Sequence, residues 1–384
     1  EQAVQYGKTG SLWSRYQEIH KLNKKKYVID ESFKIDETKL RDLIEERAVP
    51  LEQKAVNASA SYNESGFDLT DEAEGYTVDI DKSVKKIKNF MNKKWNYEDA
   101  EVELTLDTED PAVKKTDLES LQDELGSYST NAGWGERVQN LRRAAELING
   151  TVVMPGEEFS VEQTTLPYTE ENGYVAGSAY ENGQIVESIG GGLCQVSTTL
   201  YNAVLYAELE VTQRASHSMS VSYVDPSRDA MIAEGISDFK FVNNYDTPIL
   251  IEGYIDSNNQ LGFYIYGKDT RDAEHSVEFE SETLETTEYT TKYVEDTEAE
   301  IGSQETEGAG MDGSTARLWK VTYENGEEVS REVINNSTYQ TSDVTVKVGT
   351  KSDNAEATKL VREAITTQDE GKITEAISKA SALK

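Results

Sequence analysis

One cysteine in 384 residues, Cys194, leaves no partner for an internal disulfide and no thiolate cluster for a metal. Histidine is nearly as scarce. His20, His217 and His275 are the only three, which argues against a His-rich metal site, and no EF-hand spacing offers calcium a carboxylate loop. Neither a metal nor a cofactor is expected. Basic charge is also short: 38 Lys+Arg face 72 Asp+Glu, a formal net charge of −34. Without a basic stripe, the chain is not expected to track nucleic-acid phosphates or to dock by charge on an anionic membrane. No stretch approaches the roughly 18 apolar residues of a membrane span. The opening Glu1-Gln2, with no Met, leads to the expectation that a signal peptide, an anchor helix or a cloning boundary lay upstream.

Large side chains are not lacking. The 21 Tyr, 8 Phe and 4 Trp are more than disordered chains carry, so a folded, modular, highly solvated protein is expected. At roughly 100–200 residues per domain, the length suggests about two to three domains. Residues 1–125 read as mixed α/β. In "DETKLRDLIEERAVP", Leu40, Leu43 and Ile44 share one helical face, and "DKSVKKIKNFMNKKW" does the same with Val84, Ile87, Phe90 and Met91. Short alternating pieces around Gly75 suit strands and turns. Residues 126–270 are richer in glycine. They read as a helix stopped at Gly150, a turn at Pro155-Gly156, hairpins about Asn182-Gly183 and Asn258-Asn259, and a helix with Val196, Leu200, Ala203, Val204 and Ala207 as its buried stripe.

From 277 to 307, eleven acids face a single lysine, Lys292, and Thr and Tyr content favours strands over a linker. Trp319, Val321 and Tyr323 then alternate up to a turn at Asn325-Gly326, with Val329 and Val333 on the return strand. Residues 278–350 are thus expected to form a small β module. Residues 351–384, with weak helical patches at Leu360, Val361, Ile365, Ile373 and Ile377, are expected to be a mobile tail. The fold class is α+β and multidomain: a mixed N-terminal domain, a central α+β domain with a cysteine at a helix N-terminus, and an all-β C-terminal module.

The chemistry points to Gly190-Gly191-Gly192-Leu193-Cys194-Gln195. A glycine run turns sharply and lets a ligand approach the backbone. A helix starting just after it directs free N–H groups and a positive dipole end at the thiol, which lowers a cysteine pKa and could hold an oxyanion. His217, in "RASHSMSVSY", is the only histidine in this region, and a helix and return strand would bring it back toward Cys194 as a base. Alone, these residues leave the reaction class open among thiol protease, amidase and acyltransferase. A lone cysteine is also often a small buried hydrophobe.

The segment from about Gly126 to Gly267 resembles the VanW family, through "NLRRAAELINGTVVMPGEEFS", "GGGLCQVSTTLYNAVLYAELEV", "RASHSMSVSYVDPSRDAMIAEG" and "DFKFVNNYDTPILIEGYI". Residues 1–125 resemble a peptidoglycan-binding module, chiefly through "GFDLTDEAEGYTVDIDKSVKKIKNFM". Residues 278–350 resemble a five-glycine adhesion module, through "VTYENGEEVSREVI" and "VKVGT". Some VanW members are described as L,D-transpeptidases that cross-link peptidoglycan with a cysteine. The order here, Cys194 before His217, departs from the YkuD type, whose histidine precedes its cysteine, so a YkuD fold is not implied.

The resemblance implies Cys194 as nucleophile, His217 as base, and peptidoglycan stem peptides as partners, met by a monomer on the outer face of a Gram-positive-type envelope. Membrane attachment would come only through the missing N-terminal anchor. Backbone N–H groups near Gly192 to Gln195 would hold the oxyanion, Gly191 and Gly192 would contact the substrate, and Gln195 and Ser197 would line the pocket. Arg228 would grip a stem carboxylate or serve as a fold-supporting ion pair. Asp229 would orient His217 or take an ordinary turn role, and Asn243 and Asn244 would orient it in papain fashion or serve a turn. Two alternatives stay open: a non-catalytic wall-binding or adhesion protein, and an L,D-carboxypeptidase in which water replaces the acceptor amine.

Overall fold

A computed structural model of the chain describes residues 2–26, 33–63, 65–181, 184–308 and 310–383. Its contacts divide it into two units, Glu1–Val56 with Ala73–Pro111, and Asn57–Glu72 with Ala112–Lys384.

In the first unit, helices span Leu12–Lys24, Glu37–Arg47 and Ile80–Lys93, and strand Gly75–Val78 pairs antiparallel with Leu106–Glu109. Carboxylates start the second and third helices: Asp36 accepts from the Lys39 N–H at 3.2 Å and Asp79 from the Lys82 N–H at 2.8 Å. Such a cap satisfies a donor that the first turn leaves unpaired. Val84 is buried as its spacing predicts. On the Glu37–Arg47 helix only Ile44 is buried, while Leu43 is 52% exposed, so the predicted face is narrower than its pattern.

The expected boundary at residue 125 is not where the contacts divide. The hairpin Ala60–Asn63 with Gly66–Leu69 belongs to the larger unit, where Ala58 and Ala60 pack with Leu118, Leu121, Leu250 and Tyr266. Alternation marks a strand but does not say which core it joins.

The larger unit is built on a four-stranded antiparallel sheet of β1 (Asp123–Asn131), β2 (Thr151–Val153), β3 (Ile249–Ile255) and β4 (Gln260–Gly267), in the order β1-β4-β3-β2. The β3–β4 hairpin turns at Asn258-Asn259 as expected, with Asn259 at φ +58°. Helices α1 (Arg137–Ile148) and α2 (Leu193–Tyr206) pack on this sheet. From Leu193 to Leu205, every residue of α2 except Cys194 is buried, so the predicted stripe is part of a helix enclosed on all sides. Its polar residues are paired inside: the Thr130 and Thr199 hydroxyls meet at 2.8 Å, and Asn202 donates to Arg228 O at 2.8 Å. Strands Ala176–Glu181 and Gln184–Ile189 form a hairpin whose predicted Asn182-Gly183 turn lies outside the described residues.

The acidic stretch is strand. A three-stranded antiparallel ribbon runs in the order β5 (His275–Thr287), β6 (Gly313–Glu324), β7 (Glu327–Tyr339), and the β6–β7 turn has Asn325 at φ +53° and Gly326 at φ +78°. Phe279 of β5 and Leu318 of β6 are buried in the same core as α1 and α2. The ribbon and the central sheet therefore share one hydrophobic core. A second sheet joins Thr291–Glu300, parallel, and Gln304–Glu307, antiparallel, to Val344–Lys351.

The expected mobile tail is a correction. Residues 355–381 form α3 (Ala355–Ile365) and α4 (Glu370–Ser381), capped by Asn354 and Asp369. Ala357, Val361, Ile365, Ile373 and Ala380 bury against Val346 and Val348. The sequence shows the two patches as weak because each helix offers only a narrow apolar stripe, which becomes a core only when both meet a sheet. Among the described residues, no helix is long and apolar enough to cross a membrane.

Because Leu318 lies in the core shared with α2, Leu318→Ala is expected to destabilise the larger unit as a whole by about 2–5 kcal/mol. Urea unfolding of wild type and variant, followed by circular dichroism, tests this. A ribbon that melts in its own early transition, leaving the α2 core unshifted, would sink the shared-core account.

Candidate active site

The glycine run carries the chain from the strand ending at Ile189 into α2. Gly191 packs directly on the Gly177 carbonyl, so any Cβ there would collide with backbone. Gly192, the residue preceding α2, holds φ +102°, a conformation glycine adopts without penalty. Asn140 of α1 fixes this turn from behind. Its Nδ2 donates to Gly191 O at 3.0 Å and Val175 O at 2.9 Å, and its Oδ1 accepts from the Val175 N–H at 2.8 Å. Within the turn, Gly190, Gly191, Leu193 and Gln195 donate their N–H groups to Val175, Ser188, Gly190 and Gly192 carbonyls. Among the described residues, the Gly192 and Cys194 N–H groups meet no internal acceptor, so the turn that carries Cys194 keeps two unpaired donors.

Cys194 is half-buried in the first turn of α2; its thiol donates to Ile232 O at 3.3 Å, and His217 is near enough to pull its pKa down. His217 is buried. Its Nδ1 lies 2.7 Å from Asp229 Oδ2, and the same oxygen accepts the His217 backbone N–H at 2.7 Å. That contact leaves Nε2 as the ring nitrogen for the thiol. Asp229, fully buried, takes two further donors on Oδ1: Arg214 Nη2 at 3.0 Å and the Tyr339 hydroxyl at 2.6 Å. Arg214 Nε also donates to Asp229 O at 2.7 Å.

The electrostatics follow from this chain of contacts. Burial pushes the Cys194 thiol up, but the His217 hydrogen bond and charge outweigh it, and the thiol sits below its ordinary value. Burial pushes His217 down, yet its bonds to Asp229 and Cys194 raise it to about 9. Burial pushes Asp229 up, while His217 and Arg214 hold it below the usual carboxylate range. These directions favour moving the thiol proton onto His217, giving an ion pair backed by a carboxylate. Tyr168 and Tyr223, both pushed up mainly by burial, also feel the Cys194 charge.

The structure thus brings together Cys194, His217 and Asp229, but the other expected site residues stand elsewhere. Gln195 is buried, its side chain spent on Thr130 Oγ1, Asn131 O and Arg137. Ser197 is fully buried and donates to Ala230 O at 2.6 Å, so it does not line a pocket. Arg228 is buried with Nε on Asn202 Oδ1 at 2.8 Å and its guanidinium 5.0 Å from the Tyr128 ring centre, which removes it as a carboxylate clamp. Asn243 staples a loop through Val153 O and Thr247 O, each at 2.9 Å, and Asn244 accepts from the Glu210 N–H, so neither orients His217. Gly191 shapes the turn, and of the two glycines only Gly192 keeps a free N–H. Residues not anticipated are Arg214 and Tyr339 behind Asp229, Asn140 behind the turn, and Arg137, half-exposed against Gly192. Only Arg214, three residues before His217, had a sequence signal, because a cation so near could reach the same carboxylate.

Comparison with known proteins places three domains on the chain: "VanW like protein" over residues 136–266, "Putative peptidoglycan binding domain" over 1–100, and "G5 domain" over 279–351. YoaR of Bacillus subtilis (strain 168), described as uncharacterized, is 44% identical over 130 residues, which are 33% of this chain and 43% of YoaR. The vancomycin B-type resistance protein VanW of Enterococcus faecalis (strain ATCC 700802 / V583) is 30% identical over 146 residues, 35% of this chain and 53% of that protein. The chain therefore spans about half the length of these curated relatives. A solved G5 domain of an IgA1 protease matches 20% of this chain and 94% of its own length, at 25% identity and a TM-score of 0.17.

Because the thiol is held below its ordinary value by His217, iodoacetamide is expected to label native Cys194 at pH 7 faster than an exposed thiol of pKa about 8.5. His217→Ala should raise the midpoint of the labelling profile. Intact-mass spectrometry reads a single adduct, since there is one cysteine. Labelling only after denaturation would refute the ion pair.

Proposed function

Proceeding from a chain that carries a VanW-like domain between a peptidoglycan-binding-type domain and a G5 domain, we propose that it is a cell-wall L,D-transpeptidase acting through a Cys194 acyl-enzyme. The observation that carries this reading is the Cys194–His217–Asp229 chain at a helix start with free N–H donors. A purely binding role gives no account of a thiol lowered by a buried, oriented imidazole.

The Cys194 thiolate attacks the carbonyl carbon of the third, diamino residue of a tetrapeptide stem. The Cys194 N–H, with that of Gly192, receives the oxyanion. Loss of one such donor typically costs about 3–4 kcal/mol in the transition state. As the tetrahedral adduct collapses, the bond to the terminal D-alanine breaks, and His217 gives its proton to the leaving amine. The thioester is then attacked by a side-chain amine of a second stem. His217, now neutral, takes the proton from that amine, and the sulfur leaves as thiolate, restoring the ion pair. Two acyl transfers replace one difficult amide exchange. With Arg228 buried, the nearer cation is half-exposed Arg137 beside Gly192, whose Nη groups are held by Ala132 O and Gln195 Oε1, so it lends the turn positive charge and is not a free clamp. The flanking domain types support a wall polymer as partner and a site of action outside the membrane.

Incubation with tetrapeptide muropeptides is expected to give cross-linked dimers and free D-alanine. Cys194→Ala should abolish both products, and His217→Ala should lower kcat/KM by about 10²-fold or more. His217 must be protonated when the amine leaves, so the acylation rate should fall as pH rises through about 9. Trimmed monomers without dimers would make the protein a carboxypeptidase. A folded protein that yields neither product returns it to a binding role.

A further inference from the structure

The two oxygens of Asp229 receive four donors, and one of them is supplied 110 residues later in the chain, from the G5 domain. Tyr339, the last residue of β7, is buried. Its hydroxyl oxygen accepts the Ser227 N–H at 2.7 Å, so the direction of its own hydrogen is settled: it points to Asp229 Oδ1, 2.6 Å away. Burial and the Asp229 charge push the phenol up to about 12, which keeps it a donor at every pH at which the site works.

Neighbouring residues of the same strand hold the two segments that carry the site. Ser337 Oγ accepts from Arg214 Nη1 at 3.1 Å, and Asn335 Nδ2 donates to Ser227 O at 3.1 Å and to the Tyr201 hydroxyl at 2.8 Å. Just past the strand, the Gln340 N–H donates to Ser218 O at 2.7 Å, one residue from His217. β7 is thus tied to residues 214–218 and 227–229, the stretches that place His217 and Asp229.

We propose that Tyr339 is a positioning residue of the active site, and that the G5 ribbon completes the Cys194–His217–Asp229 chain instead of acting only as a separate binding module. The proposal rests on the acyl-transfer reading for its purpose, but its test does not. With the phenol donor removed, Oδ1 keeps only Arg214, the buried carboxylate turns more freely, and the imidazolium that holds the thiolate loses its fixed partner.

The experiment is the pH profile of Cys194 alkylation by iodoacetamide in the full chain, followed by intact mass. Tyr339→Phe removes one oxygen, and its labelling at pH 7 is expected to be about three- to tenfold slower than wild type, with the midpoint moved up. Asp229→Ala should slow it further, and adding Tyr339→Phe to Asp229→Ala should change nothing more, because the phenol acts through the carboxylate. Arg331→Ala, on the same strand with Glu280 and Glu328 as partners, should leave the profile in place. Should the Tyr339→Phe variant fail to fold, Ser337→Ala weakens the same corner through Arg214, and a smaller upward shift is expected. An unchanged or lowered midpoint in whichever of these two variants folds overturns the proposal, as does an equal loss from Tyr339→Phe with and without Asp229. Alkylation needs no wall substrate. Failure to form cross-links would therefore sink the acyl-transfer reading and leave this one standing, and a flat Tyr339→Phe profile would do the reverse.

Discussion

A fully buried carboxylate is the point on which the rest of this structure turns. Ionised Asp229 in the interior would cost several kcal/mol unless its lone pairs were met by well-placed donors. They are met by four: the His217 N–H and imidazole on one oxygen, Arg214 and Tyr339 on the other. These donors come from the irregular segment 214–217 and from the edge strand of the ribbon. The carboxylate therefore ties the two together, and through the imidazole it acts on the thiol of Cys194. Conversely, each donor withdrawn leaves buried negative charge less compensated, so the site and the fold around it stand or fall together.

The same logic recurs along the seam between α2 and the ribbon. Glu208, just past α2, is pushed up by burial but brought below its usual range by Lys320 and His275. Lys320 lies 2.6 Å and His275 2.8 Å from it, with Arg271 at 3.4 Å. In a chain of net charge −34, cations are scarce, and several of them are spent where acids are buried. Together with Phe279 and Leu318, which complete the central core, this seam makes the ribbon a structural part of the larger unit.

Local pattern carried much of the reading. The hairpin turns at Asn258-Asn259 and Asn325-Gly326 were legible because two adjacent small polar residues accept left-handed backbone, and positive φ values are found at Asn259, Asn325 and Gly326. Helix α2 was legible from its apolar repeat, but its burial on every side was not, because Ser197, Thr198, Thr199 and Asn202 look solvent-facing until their internal partners are known. The tail was misread for a related reason. Its helices are weak alone and become stable only by docking on Val346 and Val348.

The sequence by itself determined the nucleophile candidate and its setting. Three glycines before a helix-forming run dictate a tight turn and a helix start at Cys194, whatever the rest of the chain does. It also offered His217 and, through the family resemblance, Asp229. Which arginine serves the site was beyond it: Arg214 and Arg228 stand close to the same motif, yet one meets Asp229 and the other is enclosed by Asn202 and Tyr128. Tyr339 was beyond it too. Chemistry-bearing contacts between residues 110 positions apart depend on how a shared core draws two segments together, and that is decided by packing in three dimensions, which local periodicity and spacing do not encode.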